Sequence, residues 1–423
     1  MNDIGRRTMQ KAIWRLVPFL GVLYAFNIID RANVGFARLQ MKDSLGLTDA
    51  IIDWGYGIFY VGYLVFEVPS NMFLRRFGAR RWIARIMISW GLISTLTAWV
   101  IGPVSYFSAR ILLGVAEAGF FPGIIYYMTA WFPPTVRARV VAWFMLAIPV
   151  ASILGNLASG LILDSMNGTA GLSGWQWLFI LEGIPSVLLG FSVLYFLPDG
   201  PRDAAWLTAE ERAWLEADRA AEDGRRLVAG GSEKLSSLAD SRVWILIGLY
   251  ITVAIGTNAM GAYLPKLIKD SFQTDNWKVG LLSTVPQVLA VFAMLAASRI
   301  SDASGRRSPV VLVSLAIAAV GWLLASMPVG PWGQLVGLAL AQAGIMAVLP
   351  VFWALPPLFL GGVAAAAGIA LINSVANGGG IFAPKIVGSF GVGPMAGVMV
   401  WGVLMAMLSW WCIERRASAV SKT

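Results

Sequence analysis

Asp30, Arg31, Arg110 and Glu117 stand inside stretches that are otherwise almost wholly apolar. Arginine keeps its proton at any physiological pH, and its planar fork grips a carboxylate through two parallel hydrogen bonds. Arg31 or Arg110 is therefore the natural anchor for an anion. A carboxylate can take up and release a proton, and the chain contains no histidine to do that work instead. Asp30 and Glu117 are thus the candidate proton carriers. Together the four side chains carry no net charge, so an empty cavity built from them is neutral, and protonating either acid unbalances it. The bland alternative is structural, with Asp30 bound to Arg110, or Arg31 to Glu117, merely to hold helices together.

Helices must position these groups, and the composition says in what medium. The chain has 423 residues, 58% hydrophobic and only 13% charged, with 19 Trp and 45 Gly, far from the averages of a soluble domain. About 20 residues of helix cross roughly 30 Å of hydrocarbon. Runs of that order fall at 14–36, 54–74, 82–101, 105–131, 140–163 and 175–197, and again at 243–268, 279–298, 309–327, 333–355, 364–387 and 395–413. The expected fold is all-α and integral to a membrane, with twelve transmembrane helices in two six-helix, pseudo-symmetric bundles. Residues 1–197 form the first bundle, 198–242 a linker, and 243–423 the second bundle with a short tail. Asp30 and Arg31 then lie late in the first helix. Arg110 and Glu117 lie nearly two turns apart on one face of the fourth. An ionised group at the centre of such a helix costs about 2.5–3.5 kcal/mol on insertion scales, which favours a functional reason for the set.

Loop charge sets orientation, because Lys and Arg are retained on the cytoplasmic side. Arg6, Arg7, Lys11 and Arg15, then Arg75, Arg76, Arg80 and Arg81, Arg137 and Arg139, the linker, Arg299, Arg306 and Arg307, and finally Arg415 and Arg416 all fall on one face. Both termini are expected to be cytoplasmic. The exception is Lys266, Lys269 and Lys278, partly balanced by Asp270 and Asp275. The net charge of +9 is accordingly topology rather than a nucleic-acid surface. No small-residue cleavage site follows the first run, which reads as an uncleaved helix. In the linker, Thr208 and Glu211 have the spacing of a capping box that opens a surface helix. "LRRFGARR" after the second helix and "ISDASGRR" after the eighth are a weak internal repeat. Halves so related place the substrate between them, near the midplane.

Other polar groups are read with both meanings in view. Glu67 is expected to brace a gate or a loop arginine, and Glu182, placed near the outer end of the sixth helix, to be structural. Tyr63, Asn373 and Asn377 can hydrogen-bond a ligand across the cavity or simply bridge helices. Lys266 and Lys385 read as snorkelling cations or an anion funnel. Pro122, Pro149, Pro350 and Pro384 mark possible bends. A single cysteine, Cys412, and no histidine leave no metal or cofactor site and no nucleophilic centre, which argues against a membrane enzyme.

"DRANVGFA", placed after the first helix, "ARILLGVAEAGFFPG" and "AWFP" in the fourth, "WQWLFILEGIPS" opening the sixth, "LPDGPRDAAWLTAEER" in the linker and "AAAAGIALINSVANGGG" in the eleventh carry a resemblance across nearly the whole chain. They resemble the major facilitator superfamily and, within it, the anion:cation symporter family. The resemblance implies import of organic anions such as sugar acids, tartrate, phthalate or hydroxyphenylacetate on the proton gradient. It implies Asp30 and Glu117 as proton-coupling acids, Arg31 and Arg110 as anion-cavity arginines, and Tyr63 and Asn377 as substrate contacts. Two departures stand out. Arg75 occupies a position where the superfamily's loop motif carries an acid, while the second copy keeps Asp302. Ile148 stands where sugar-acid members carry a polar residue, which points to a less hydroxylated substrate, aromatic or a short dicarboxylic acid.

The expected function is therefore symport of a small organic carboxylate with protons, in a multi-pass protein of a bacterial inner membrane. A monomer suffices, since each chain holds both halves of a cavity. Two rivals are a proton-driven exporter of the same superfamily and a transporter-derived sensor. The exporter's Gly-Pro-rich signature in the fifth helix is not present, and two intramembrane arginines repel a cation.

Overall fold

The computed structural model describes residues 3–228, 240–360 and 362–414. Arg415 and Arg416, the linker stretch 229–239, and the side chains of Arg75, Arg139 and Arg226 lie outside the described residues. Helices α1 (Asp3–Ser44), α2 (Asp49–Phe77) and α3 (Ala79–Leu96) are followed by a span broken into α4 (Pro103–Glu117) and α5 (Phe120–Trp131). A second broken span, α6 (Pro134–Met145) and α7 (Ala147–Ser165), and then α8 (Gly174–Phe196) complete the first half. Helix α9 (Ala209–Val228) belongs to the linker. The second half contains α10 (Ser241–Phe272), α11 (Asn276–Ser304), α12 (Ser308–Ser326), α13 (Gly330–Phe352), the broken span α14 (Gly362–Asn377) and α15 (Gly379–Phe390), and α16 (Gly393–Ser409). These make twelve spans, of which ten are long and apolar enough to cross a bilayer by length and composition alone. The other two are α3, which opens on Ala79-Arg80-Arg81, and the divided α14–α15 span.

The first helix runs on to Ser44, so "DRANVGFA" is helical rather than a segment after the helix. Two of the three breaks have a local cause in the sequence. Gly119 takes a left-handed φ of +84°, which ends α4, and a β-carbon there would collide with the Ser70 hydroxyl. That hydroxyl instead donates to the Ala118 carbonyl at 2.6 Å, satisfying an acceptor freed by the break. Between α6 and α7, Pro149 has no N–H to offer the Met145 carbonyl one turn earlier.

The two halves meet where α1 faces α10, α2 faces α15 and α7 faces α11. At the end remote from the N-terminus this seam is closed. Arg38 pairs with Asp53, and the Tyr263 hydroxyl from the second half donates to the same carboxylate at 2.6 and 2.8 Å. The Arg38 guanidinium also lies over the Tyr263 ring at 4.3 Å. Asn156 donates to the Ser283 carbonyl at 3.0 Å, and Asp164 accepts from the Asn276 side chain and the Trp277 backbone at 2.6 and 2.7 Å. Between those bonds Gly160 and Gly280 touch backbone to backbone, and a β-carbon on Gly160 would lie 2.9 Å from the Gly280 Cα.

At the other end of the bundle each half carries a matching clasp. Asp199, just past α8, accepts from the Arg80 backbone N–H at 2.9 Å and so caps α3. Glu414, just past α16, accepts from the Arg307 and Ser308 N–H groups at 2.7 and 3.0 Å and caps α12. A carboxylate is favoured at these N-termini by the exposed N–H groups and the helix dipole. Asp199 thus brings an acid to the loop in which Arg75 replaces one. Thr208 and Glu211 exchange the two hydrogen bonds of a capping box at 3.0 and 3.2 Å, and Glu211 ties α9 to α1 through Lys11 at 2.6 Å.

Candidate functional site

A cavity of about 190 Å³ lies between the halves, lined from both. Helix α2 contributes a single stripe to it. Asp53, Tyr56, Tyr60, Tyr63 and Glu67 recur at intervals of three and four residues, which sets them on one face of the helix. The three tyrosines line the cavity. Asp53 sits in the closed seam at one end of the stripe. At the other end, Glu67 reaches the second half, where Ser374 donates to it at 3.1 Å and Asn373 at 3.5 Å.

Arg31 faces the cavity and makes a short ion pair with Glu117. Asn27, one turn earlier on α1, donates to the same Glu117 oxygen at 2.6 Å. Glu117 is fully buried and is the last residue of α4, immediately before the break. Its second oxygen has no partner among the described residues. Interrupted membrane helices place backbone and side-chain polar groups at ligand sites in transporters, and this break puts an acid against Arg31 of the cavity wall. The Arg31 guanidinium lies over the rings of Tyr63 at 5.0 Å and Phe59 at 5.5 Å, which flank it without neutralising it.

Arg110 and Asp30 are placed differently. Arg110 is 2% exposed and lies behind the cavity wall, 5.0 Å from the Phe59 ring, with its Nε donating to the Gly55 carbonyl at 3.4 Å. One guanidinium nitrogen has no partner. Asp30, 1% exposed, makes no ion pair with either arginine among the described residues and accepts from Ser94 of α3 and from Asn33 at 3.2 Å. The four charged residues therefore form one ion pair at the cavity, Arg31 with Glu117, and two separate buried groups behind it.

The remaining predicted contacts divide in a similar way. Tyr63, Asn373 and Asn377 all line the cavity, and Asn377 ends α14 at the break in its span. Glu182 lies two turns inside α8 rather than near its outer end, buried against α7. Lys266 pairs with Asp270 at 2.8 Å, and Lys385 sits over Trp54 at 4.0 Å. The sequence reading passed over Arg38, Asp53, Tyr56, Tyr60, Asn258, Gln287 and Gln342. Asn258 accepts from Tyr60, joining the two halves across the cavity, and Gln342 donates to Gln287 at 3.0 Å. The three-and-four spacing of an acid, three tyrosines and a second acid along α2 was the available signal for several of them.

The arrangement offers a neutral cavity with one guanidinium on its wall, an acid beside it and neutral amides opposite. The family model of the Major Facilitator Superfamily matches residues 20–384. A putative tartrate transporter of Agrobacterium vitis is 44% identical over 92% of this chain and 86% of its own length. The putative metabolite transport protein NicT of Pseudomonas putida is 42% identical over 91% of this chain and 89% of its own. In fold, the chain resembles the proton:xylose symporter XylE bound to 6-bromo-6-deoxy-D-glucose, with a TM-score of 0.74 at 15% identity, covering 96% of each chain. The chain belongs to the major facilitator superfamily, and it is a multi-pass membrane transporter rather than an enzyme.

Proposed function

We propose that the protein imports a small organic carboxylate together with protons, by alternating access across a bacterial inner membrane with both termini cytoplasmic. The observation that carries this reading is the Arg31–Glu117 pair at the cavity wall. A guanidinium already held by a carboxylate binds a second one poorly. Once Glu117 is protonated, Arg31 is free to take the substrate carboxylate in its place, and the occupied cavity stays neutral. Proton and substrate then favour each other's binding, and a neutral, loaded cavity is the form that occludes at least cost.

Asp30 serves as the second coupling acid from behind the wall, and Arg110 supports the positive field around the substrate carboxylate. Tyr63, Asn373 and Asn377 are assigned to the rest of the substrate. The named function of the Agrobacterium relative supports an organic acid as the cargo. Each chain contains both halves of the cavity and is assigned to work as a monomer.

The test is uptake by proteoliposomes of labelled carboxylates, including sugar acids, tartrate, phthalate and hydroxyphenylacetate, with and without an inward proton gradient. Accumulation of one acid only when protons flow inward is expected. Extrusion of substrate against an inward proton flux indicates the exporter instead, and saturable binding with no flux indicates the sensor.

A further inference from the structure

The machinery above leaves one buried acid unused. Glu182 is 5% exposed and has no basic partner among the described residues; the buried ion pairs of its half join Arg31 to Glu117 and Arg38 to Asp53. Its Oε1 accepts from Ser159 of α7 at 3.1 Å, and its Oε2 has no partner. Asn33, one turn beyond Asp30 on α1, donates to Asp30 and also interacts with the Glu182 carboxyl. Asn33 Oδ1 and Asp30 Oδ2 are themselves without partners. Three orphan oxygens thus share one cluster, and all three are acceptors. Each orphan weakens the packing while it lacks a donor. One proton pairs two of the three, because a protonated carboxyl donates an O–H either to the amide oxygen or to the other carboxylate. Charge leads to the same result, since two carboxylates sharing a low-dielectric site do not readily ionise together.

Among the described residues no cation makes an ion pair with either carboxyl to hold two negative charges here. Arg31 follows Asp30 on α1 but is committed to Glu117. From α4, Arg110 and Glu117 act on Asp30 from a distance and with opposite signs. Helices α3 and α7, which flank α8, contribute the Ser94 and Ser159 hydroxyls.

We propose that Glu182 is a positioning residue for Asp30, the two carboxyls holding one proton between them across Asn33. The charge on Glu182 then sets how readily Asp30 gives its proton up. This rests on the reading of Asp30 as a coupling acid. In the shared step one carboxyl loses the proton that the other gains, and the charge of the pair is unchanged.

The experiment is the pH profile of gradient-driven uptake by the full-length protein in proteoliposomes. Glu182→Gln removes the competing carboxyl, so Asp30 ionises more readily and the alkaline limb of uptake moves to lower pH by about one unit, the coupling expected of a carboxyl pair. Two hydroxyl variants carry opposite signs. Ser159→Ala takes a donor from Glu182, leaves more of the proton there and moves the limb the same way. Ser94→Ala takes a donor from Asp30 and moves it to higher pH. In the Glu182→Gln background the Ser159→Ala shift disappears while the Ser94→Ala shift persists. Coincident profiles for Glu182→Gln and the unmodified protein, or shifts of one sign from both hydroxyl variants, overturn the proposal. If Glu182→Gln does not fold, the two hydroxyl variants decide the matter by their signs. Gradient-driven accumulation by Asp30→Asn overturns the reading of Asp30 itself, and so is distinguished from a failure at Glu182.

Discussion

The two halves share one architecture and divide the chemistry unequally. Every buried charged side chain described within the spans belongs to the first half: Asp30, Arg38, Asp53, Glu67, Arg110, Glu117 and Glu182. Among the described residues, the polar side chains buried in the second half are hydroxyls and amides, including Asn258, Gln287 and Gln342. A membrane charges heavily for each ionised group, so confining them to one half also confines the compensating pairs. The second half meets the acids of the first with uncharged donors alone: Tyr263 at Asp53, Asn276 and Trp277 at Asp164, and Ser374 and Asn373 at Glu67, among the described residues. Its one contact with a buried ion pair is Tyr263 at the closed seam.

The contrast is broken most severely at Glu117. Glu117→Gln fixes the neutral form of the acid, and substrate accumulation in proteoliposomes is expected to collapse to passive equilibrium under an imposed proton gradient. Arg31→Lys keeps the charge and loses the fork, and a charge-assisted bond is worth about 1.5–3 kcal/mol, so substrate binding weakens roughly 10- to 100-fold in a ligand-binding assay. On the neutral side, Asn377→Ala removes at most an uncharged bond of about 0.5–1.5 kcal/mol and weakens binding only about 2- to 10-fold. A larger loss at Asn377 than at Arg31 would abolish the proposed division of labour.

Smaller effects test the symmetry that underlies the contrast. Asp199→Ala and Glu414→Ala each remove a carboxylate cap, at a cost of about 0.5–2 kcal/mol, and thermal unfolding is expected to report similar losses from the two halves. The smallest effect lies at the entry to the second half, where hydrogen bonds from Arg242 hold the Asp240 carboxyl below its usual range. A carboxyl whose folded pKa is depressed contributes stability above its unfolded value and loses it as pH falls through the folded one. That window opens below about pH 4. Asp240 is solvent-accessible, so its share is on the order of 0.5 kcal/mol, and Asp240→Asn is expected to flatten the acid limb of thermal stability by that amount.

Much of this arrangement was legible in the chain. Apolar runs give the spans because hydrocarbon leaves backbone groups no partner but each other, and Asp30, Arg31, Arg110 and Glu117 stand out because ionised groups are rare there. The pairing of Arg31 with Glu117 was among those the charges offered, but what Asp30 and Arg110 touch was not legible. The break at Gly119 decides where the Glu117 side chain goes, and it depends on a hydroxyl from α2, forty-nine residues earlier. Arg38 was obscured because the first helix continues beyond the apolar run, so a buried pair looked like the start of a loop. What Glu182 touches was hidden as well, because its partners, Asn33 and Ser159, come from other helices and are uncharged. Periodicity reports which face a residue occupies, and it says nothing about the neighbouring helix that will meet that face.

The clasps formed by Asp199 and Glu414 each close inside their own half. The rocking proposed for the halves leaves both intact, so in that mechanism each half turns as a stiff lever and stores little strain of its own. The resistance to turnover therefore concentrates in the few bonds of the seam, above all where Tyr263 holds Asp53. Loosening that single latch is a way to retune the speed of the carrier without rebuilding the pocket that selects its cargo.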